Sequence, residues 1–347
     1  MPDTLHSWRM VEPGQPLALT ESPLPEAGPD EVLLKVRACG LCHTDVGFLY
    51  GGVRPNAELP LTLGHEIVGD VVAGSPDLIG RTFIVPAVLP CGDCELCAKG
   101  RGNVCRKQKM PGNDFHGGFA SHFLTPMRYL CPVPAGTTDV EDLSVVADAV
   151  ATSYQAIVRA DVEAGDMVIV VGAGGVGTFA AQSAKAFGAH VAAIDVDTRR
   201  LEAAGKYIDL PLDASSLDTK AIRKAVGGFE KEHGLPRHSR KIIECSGSGA
   251  GQATAYALLN HNAMLAVVGF TLEKTPLRLS NLMAFDATAF GNWGCLPDHF
   301  PPILELMGAG KIDLKPFVKR HPMSALNDLL REESHVHRPV LIPDFED

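Results

Sequence analysis

The sequence predicts an α/β chain of two domains, with a doubly wound parallel sheet inserted into a loop-rich, mostly-β domain. Three observations predict it. Strands alternate with helices from Met167 to Val268, the pattern of a parallel sheet covered by helices on both faces. Pro and Gly punctuate short strand-like runs from Pro2 to Pro134, the texture of irregular all-β structure with long loops. After about Asn292 the alternation gives way to irregular sequence again. A chain of 347 residues exceeds one ordinary core and fits two domains. The expected limits are 1–149 and 292–347 for the mostly-β domain and 150–291 for the inserted one.

In chain order, Glu31 to Ala38 and Arg81 to Val85 read as strands between turns, and the texture changes near Asp148. Met167 to Val171 is an unbroken apolar run, hence a strand buried on both faces. Val176 to Phe187 is helical and stops at Gly188, and His190 to Ile194 is the next strand. Helices follow at Thr198 to Ala204 and Asp218 to Val226, then a strand at Lys241 to Cys245. Gln252 to Leu259 is helical, Met264 to Val268 a strand, and two further helices fall at Pro302 to Met307 and near Ala325 to Leu330. The small and apolar stretch from Met167 to Ile194 is no membrane span, because glycines and the polar Gln182, Ser183 and Lys185 interrupt it.

The formal net charge of −10 disfavours nucleic acid or a membrane surface as a partner, since both attract basic chains. Met1 to Met10 holds Asp3, His6 and Arg9 without an apolar run, so it does not read as a signal peptide. Nine cysteines, an odd number, then point to a reducing, cytoplasmic setting with free or metal-bound thiols.

Gly172, Gly174 and Gly177 stand in G-x-G-x-x-G spacing, directly after a strand and at the opening of a helix. Gly172 permits the tight turn, Gly174 lets backbone approach a pyrophosphate, and Gly177 allows close packing of helix on strand. Gly175 and Val176 complete the turn, whose helix N-terminus offers N–H groups to the phosphates. Asp195 ends the next strand, 23 residues after Gly172. A carboxylate there accepts from a ribose 2′-OH and repels a 2′-phosphate, which favours NAD over NADP. Arg199 and Arg200 follow and pull the other way, because a base there can accommodate a phosphate; Arg200 is taken with Asp195 as cofactor-binding.

Cys91, Cys94, Cys97 and Cys105 are spaced C-x2-C-x2-C-x7-C. Four thiolates this close suit a closed tetrahedral zinc, which stabilises structure without performing chemistry. A lone set without a second cluster gives an iron–sulfur centre little support. Cys39, Cys131, Cys245 and Cys295 are isolated and read as small buried hydrophobes. Cys42-His43-Thr44-Asp45 and Gly64-His65-Glu66 look like pieces of an open metal site. Taken singly, Cys42 is equally a buried thiol and His65 a loop histidine.

The C-x-T-D at Cys42 to Asp45, G-H-E-x-x-G at Gly64 to Gly69, the cysteine lobe, the glycine motif and Asp195 occur in one order. In these features the chain resembles the medium-chain zinc alcohol dehydrogenases over nearly its whole length. The resemblance implies a GroES-like catalytic domain with an inserted Rossmann domain, two Zn2+ per chain, NAD, and assembly as homodimers or homotetramers. It implies Cys42 and His65 as ligands of a catalytic zinc and Thr44 as the hydroxyl that bonds the substrate oxygen. It implies Asp45 as a group orienting a ligand, Glu66 as a carboxylate behind the metal, and Arg338 as an arginine reaching the cofactor pyrophosphate. Two departures stand out. The position often held by a third, cysteine ligand is Asp148, six residues before Tyr154; aspartate binds zinc through oxygen, and a harder ligand leaves a more Lewis-acidic metal. The position often held by a relay histidine is Gly47, so the proton must leave by ribose hydroxyls, water or another residue, with His43 near in sequence.

Pro90 to Asn103, Lys109 to Asn113 and Gly291 to Cys295 further resemble the 6-hydroxycyclohex-1-ene-1-carbonyl-CoA dehydrogenases of anaerobic benzoyl-CoA breakdown. That implies oxidation of a ring allylic alcohol, carried as a CoA thioester, to the enone. Arg101, Arg106, Lys107 and Lys109 form a basic cluster that could meet the CoA phosphates, or a solvated charged loop. Trp293 could pack on the ring, or belong to the core. Other small or aromatic alcohols, zinc-assisted hydration of the enone thioester, and a non-enzymatic NAD-sensing scaffold are the alternatives.

Overall fold

The computed structural model describes residues 4–332 and 334–345; the expected domain limits at residues 1 and 347 lie outside them. The chain divides into two compact units: Met1–Ala151 with Gly294–Pro301 and Val318–Asp347, and Thr152–Trp293 with Pro302–Phe317. No helix among the described residues is long and apolar enough to cross a membrane.

The first unit is the mostly-β GroES-like domain. Its larger sheet runs in the order Val318–Pro322, Arg338–Ile342, Glu31–Gly40, Glu66–Ala73, Thr82–Val85, Cys131–Pro132, with His122–Pro126 also pairing to Glu31–Gly40. A smaller sheet joins Ala18–Pro23, Thr4–Met10 and Leu61–Thr62. Glu31–Gly40 is the hub. Its inward Val32, Leu34 and Val36 pack with Ile67, Val71, Phe83 and Phe119 in one apolar core. Register shifts against Glu66–Ala73 bend this strand before Cys39 and Gly40, which delivers the chain to the helix His43–Leu49.

The second unit is a doubly wound sheet of six parallel strands. The spatial order is Leu210–Asp213, His190–Asp195, Met167–Val171, Lys241–Glu244, Met264–Val267, Thr288–Gly291. Numbered along the chain this is 3-2-1-4-5-6, the order of a dinucleotide-binding Rossmann sheet. Every residue of Met167–Val171 is buried, as the unbroken apolar run requires. The helix expected to end at Val226 continues over Thr219–Glu232. Its apolar face runs Ile222, Val226, Phe229, through two glycines, and Asp218 caps it by accepting from Ala221 N at 2.7 Å.

Two features depart from the sequence expectation. The strands Leu210–Asp213 and Thr288–Gly291 carry no strong apolar alternation because they are the two edges of the sheet. Pro302–Phe317, expected in the mostly-β domain, belongs to the second unit. Phe317 packs edge-on to Phe179 at 6.2 Å and lies 5.9 Å from Tyr207, and Gln182 bonds both the N–H and the C=O of Asp313. Contacts this distant in sequence leave no local pattern to read.

Candidate metal centres and cofactor site

Cys42 precedes the helix His43–Leu49, and His65 follows a turn at Gly64. Gly64 has φ +92, and a Cβ there would meet Cys39 Sγ at 2.8 Å, so only glycine fits. Asp45 joins the two segments. Its Oδ2 accepts from Cys42 N and its Oδ1 from Gly64 N, each at 3.0 Å, and Oδ1 lies 3.6 Å from His65 Nδ1. Asp148 arrives from a third segment, where its Oδ2 stands 3.7 Å from Cys42 Sγ and 3.5 Å from His65 Nε2.

One donor atom from each of Cys42, His65 and Asp148 lies within 4.8 Å of the others. His65 is fully buried, and neither ring nitrogen has a hydrogen-bond partner among the described residues. An unsatisfied buried imidazole is costly, and a cation among the three donors would satisfy it. Burial works against a charge on His65, yet Asp45, Cys42 and Asp148 outweigh it and hold its pKa well above the ordinary value. The site thus favours positive charge. Donor separations of 3.5 and 3.7 Å match the edges of a tetrahedron around zinc with bonds of roughly 2.0–2.3 Å.

Glu66 and Arg338 lie behind this set. Arg338 donates from Nε to Glu66 Oε2 and from Nη2 to Glu66 Oε1, both at 2.7 Å. Glu66 Oε1 also accepts from Ala149 N at 3.0 Å, next to Asp148. Arg338 is therefore a buried counter-ion of Glu66; the pair uses two of its five N–H groups, so the cofactor role expected of it stands as a proposal beside this one. Burial pushes the Glu66 carboxyl up and the guanidinium draws it back, while Glu66, Cys42 and Asp148 keep Arg338 charged despite its own burial. The sequence held no local signal for the pair, whose members are 272 residues apart.

Thr44 Oγ1 is 3.6 Å from Cys42 Sγ, beside the donor set. His43 is exposed, and Gly47 offers no side chain in the same helix. Trp293 is 49% exposed rather than in a core.

In the second set, Cys91–Cys97, Cys94–Cys97, Cys94–Cys105 and Cys91–Cys105 have S···S separations of 3.9, 3.6, 3.5 and 3.3 Å. A zinc tetrahedron with Zn–S of about 2.3 Å has edges of roughly 3.8 Å. Cys105 is opposed by burial but drawn down to about 6 by hydrogen bonds around it, while Cys91, bonded to Asp93, is pushed up to about 12. Four sulfurs so close cannot all ionise without a cation among them. Replacing Cys105 by serine should lower the bound zinc from two ions per chain to one and destabilise the fold, as metal analysis and thermal denaturation would show. The isolated Cys39, Cys131 and Cys295 are buried, whereas Cys245 is half-buried.

In the second unit, Gly172 has φ +89, and a Cβ would strike the Ser246 backbone at 2.6 Å. Gly174, Gly175 and Val176 form the accessible part of the turn, ahead of the helix Gly177–Ala186. A Cβ at Gly174 would meet nothing closer than Arg200 Nη1 at 3.6 Å. No protein contact demands glycine there, which leaves room for a ligand's close approach. Asp195 Oδ2 accepts from Ala173 N at 2.7 Å and Oδ1 from Asp197 N at 2.8 Å. A carboxylate has about four acceptor sites, so roughly two remain for ribose hydroxyls. Arg200 lies 3.8 Å from Asp195, and Arg199 pairs with Asp197 at 2.7 Å. Both basic charges thus face carboxylates, as suits NAD better than a 2′-phosphate. Asp197, which no motif marks in the sequence, fixes both Asp195 and Arg199.

A dinucleotide sheet with one closed and one open set of zinc donors defines a zinc- and NAD-dependent oxidoreductase. Residues 28–135 match the alcohol dehydrogenase GroES-like domain and residues 175–309 the zinc-binding dehydrogenase domain. L-galactonate-5-dehydrogenase of Escherichia coli is 31% identical, covering 92% of each chain. The NAD-dependent alcohol dehydrogenase of Sulfurisphaera tokodaii is 30% identical, covering 98% of this chain and 100% of its own. Acetophenone reductase of Geotrichum candidum, solved with NAD, superposes with a TM-score of 0.85 at 26% identity, over 100% of this chain and 99% of that one. The chain belongs to the medium-chain zinc-type alcohol dehydrogenase family and is an NAD-dependent oxidoreductase acting on CH–OH groups.

Proposed function

We propose that this enzyme oxidises 6-hydroxycyclohex-1-ene-1-carbonyl-CoA to the 6-oxo enone, with NAD as acceptor, in anaerobic aromatic degradation. The observation that carries the dehydrogenase chemistry is the convergence of Cys42, His65 and Asp148 around an unsatisfied buried imidazole. The choice of substrate rests on the segments Pro90 to Asn103, Lys109 to Asn113 and Gly291 to Cys295. Zinc bound there supplies Lewis acidity toward an alcohol oxygen, and NAD supplies the hydride acceptor. The Cys42 thiolate and the Asp148 carboxylate balance the two positive charges of the ion, and Asp45 keeps His65 in orientation. Thr44 Oγ1 would take the proton from the substrate oxygen and pass its own onward, as hydride leaves the carbinol carbon for NAD. With glycine at position 47, that proton passes to water or a ribose hydroxyl, with the exposed His43 one residue away.

The test is NADH formation from the hydroxycyclohexenyl-CoA ester, its free acid and benzyl alcohol. The CoA ester should be turned over far faster than the other two. Equal rates for benzyl alcohol would favour a general alcohol dehydrogenase, and no turnover of the CoA ester would refute this reading. Asp148 also motivates a second activity, since a more Lewis-acidic ion would activate the conjugated enone toward water. No water adduct after incubation of enone thioester without NADH would exclude it.

The same reading takes the protein as a cytoplasmic homodimer or homotetramer. The edge strand Thr288–Gly291 is largely exposed, and beside it Leu279 and Met283 are 69% and 77% exposed, a surface suited to a second copy. Met283→Asp should lower the assembly state measured by light scattering, with the zinc content intact.

A further inference from the structure

A cavity of about 620 Å3 opens on the first unit beside the four-cysteine lobe. Leu89, Met127 and Tyr129 give it apolar walls, and Lys107, Lys109 and Arg128 bring three cations against one carboxylate, Asp30. In a chain of net charge −10 these cations form a local basic patch, although Asp93 on the cysteine lobe also faces Lys107 and Arg128. The main chain of Lys109 is fixed to Leu89 by a pair of backbone hydrogen bonds of 2.9 Å each, and the Lys107 and Lys109 side chains are exposed. Arg128 Nη1 donates to Cys91 O at 2.9 Å, and its guanidinium lies 4.8 Å from the Tyr129 ring centroid. Tyr129 holds φ 73, a left-handed conformation that bulky residues seldom adopt. Arg101 and Arg106, counted with the lysines in the basic cluster, do not line this cavity.

The chain connects the cavity wall to the segment that carries Asp148. Ala87 N donates to Ala147 O at 3.1 Å, immediately before Asp148, and Leu89 on the cavity wall is two residues further on. Two residues span at most roughly 7 Å. A small inorganic anion would leave the apolar walls unused, and a purely apolar ligand would leave the cations unused. The lining fits a ligand with several phosphate charges, a flat ring and a flexible arm. Lys and Arg meet phosphate oxygens, and the stacked Tyr129 and Arg128 offer a surface for a base.

We propose that this cavity binds the phosphorylated adenosine end of the CoA thioester, an inference that rests on the substrate reading above. The test uses zinc-loaded enzyme saturated with NADH, so that the dinucleotide site is filled. Calorimetry would measure binding of desulfo-CoA, which carries no thiol to reach a metal, alongside ADP and pantetheine. Desulfo-CoA should bind and pantetheine should not, and Lys107→Gln with Lys109→Gln should weaken desulfo-CoA roughly tenfold. The same double variant should raise KM for the CoA ester with kcat, zinc content and turnover of a small uncharged alcohol unchanged. Unaltered desulfo-CoA affinity in the double variant, or no binding to either protein, would overturn the proposal. If the CoA ester proves not to be a substrate while ADP binds and is weakened by the double variant, the cavity is a nucleotide-phosphate site and only the CoA occupant falls.

Discussion

Replacing Asp148 by alanine should lower turnover by roughly a thousandfold, the value of several kcal/mol of Lewis-acid stabilisation. Bound zinc should fall from two ions per chain to one, and the ion that remains should be the one in the cysteine lobe. Asp148 Oδ2 stands 3.5 Å from His65 Nε2 and 3.7 Å from Cys42 Sγ, so its loss leaves two protein donors where zinc takes three. The charge changes as well, because one thiolate alone leaves a net positive centre beside buried Arg338. Asp148→Cys separates a ligand from a bystander. A thiolate at this position should restore two zinc ions and much of the activity, whereas a carboxylate that merely orients its neighbours would not be replaced by sulfur. Two zinc ions per chain in the alanine variant would show that the carboxylate is not a ligand.

What the sequence disclosed follows from where its signals are local. The glycine motif lies within one turn, and its strand, turn and helix lie within twenty residues, 167–186. The cysteine spacing is equally compact, and all four sulfurs converge. Cys42, His65 and Asp148 lie on three separate segments, so only a family pattern could join them in the sequence. Arg338 marks the limit of that reasoning. A resemblance supplied a cofactor role, and the pairing with Glu66, a residue far away in the chain, left no local signal to find. Pro302–Phe317 failed differently, since its place depends on tertiary contacts of Phe317 and Asp313 that no periodicity records. Trp293 shows that residue type alone does not fix burial.

Arg338→Met should destabilise the first unit by about 3–5 kcal/mol, because it leaves the Glu66 carboxylate buried without its counter-ion. For a unit of this size that is a fall in Tm of roughly 10 °C or more. Glu66 and Arg338 are both buried and exchange two hydrogen bonds of 2.7 Å, so water cannot replace the lost partner. Adding Glu66→Gln should recover most of the loss. The amide carries no charge and can still accept from Ala149 N, which Glu66 Oε1 does at 3.0 Å in the native chain. The cycle also decides between the two roles for Arg338. If the guanidinium serves Glu66, the zinc-loaded Arg338→Met variant should keep its NADH affinity in a fluorescence titration while losing stability. A drop in NADH affinity of tenfold or more with Tm unchanged would return Arg338 to the pyrophosphate and make the Glu66 contact secondary.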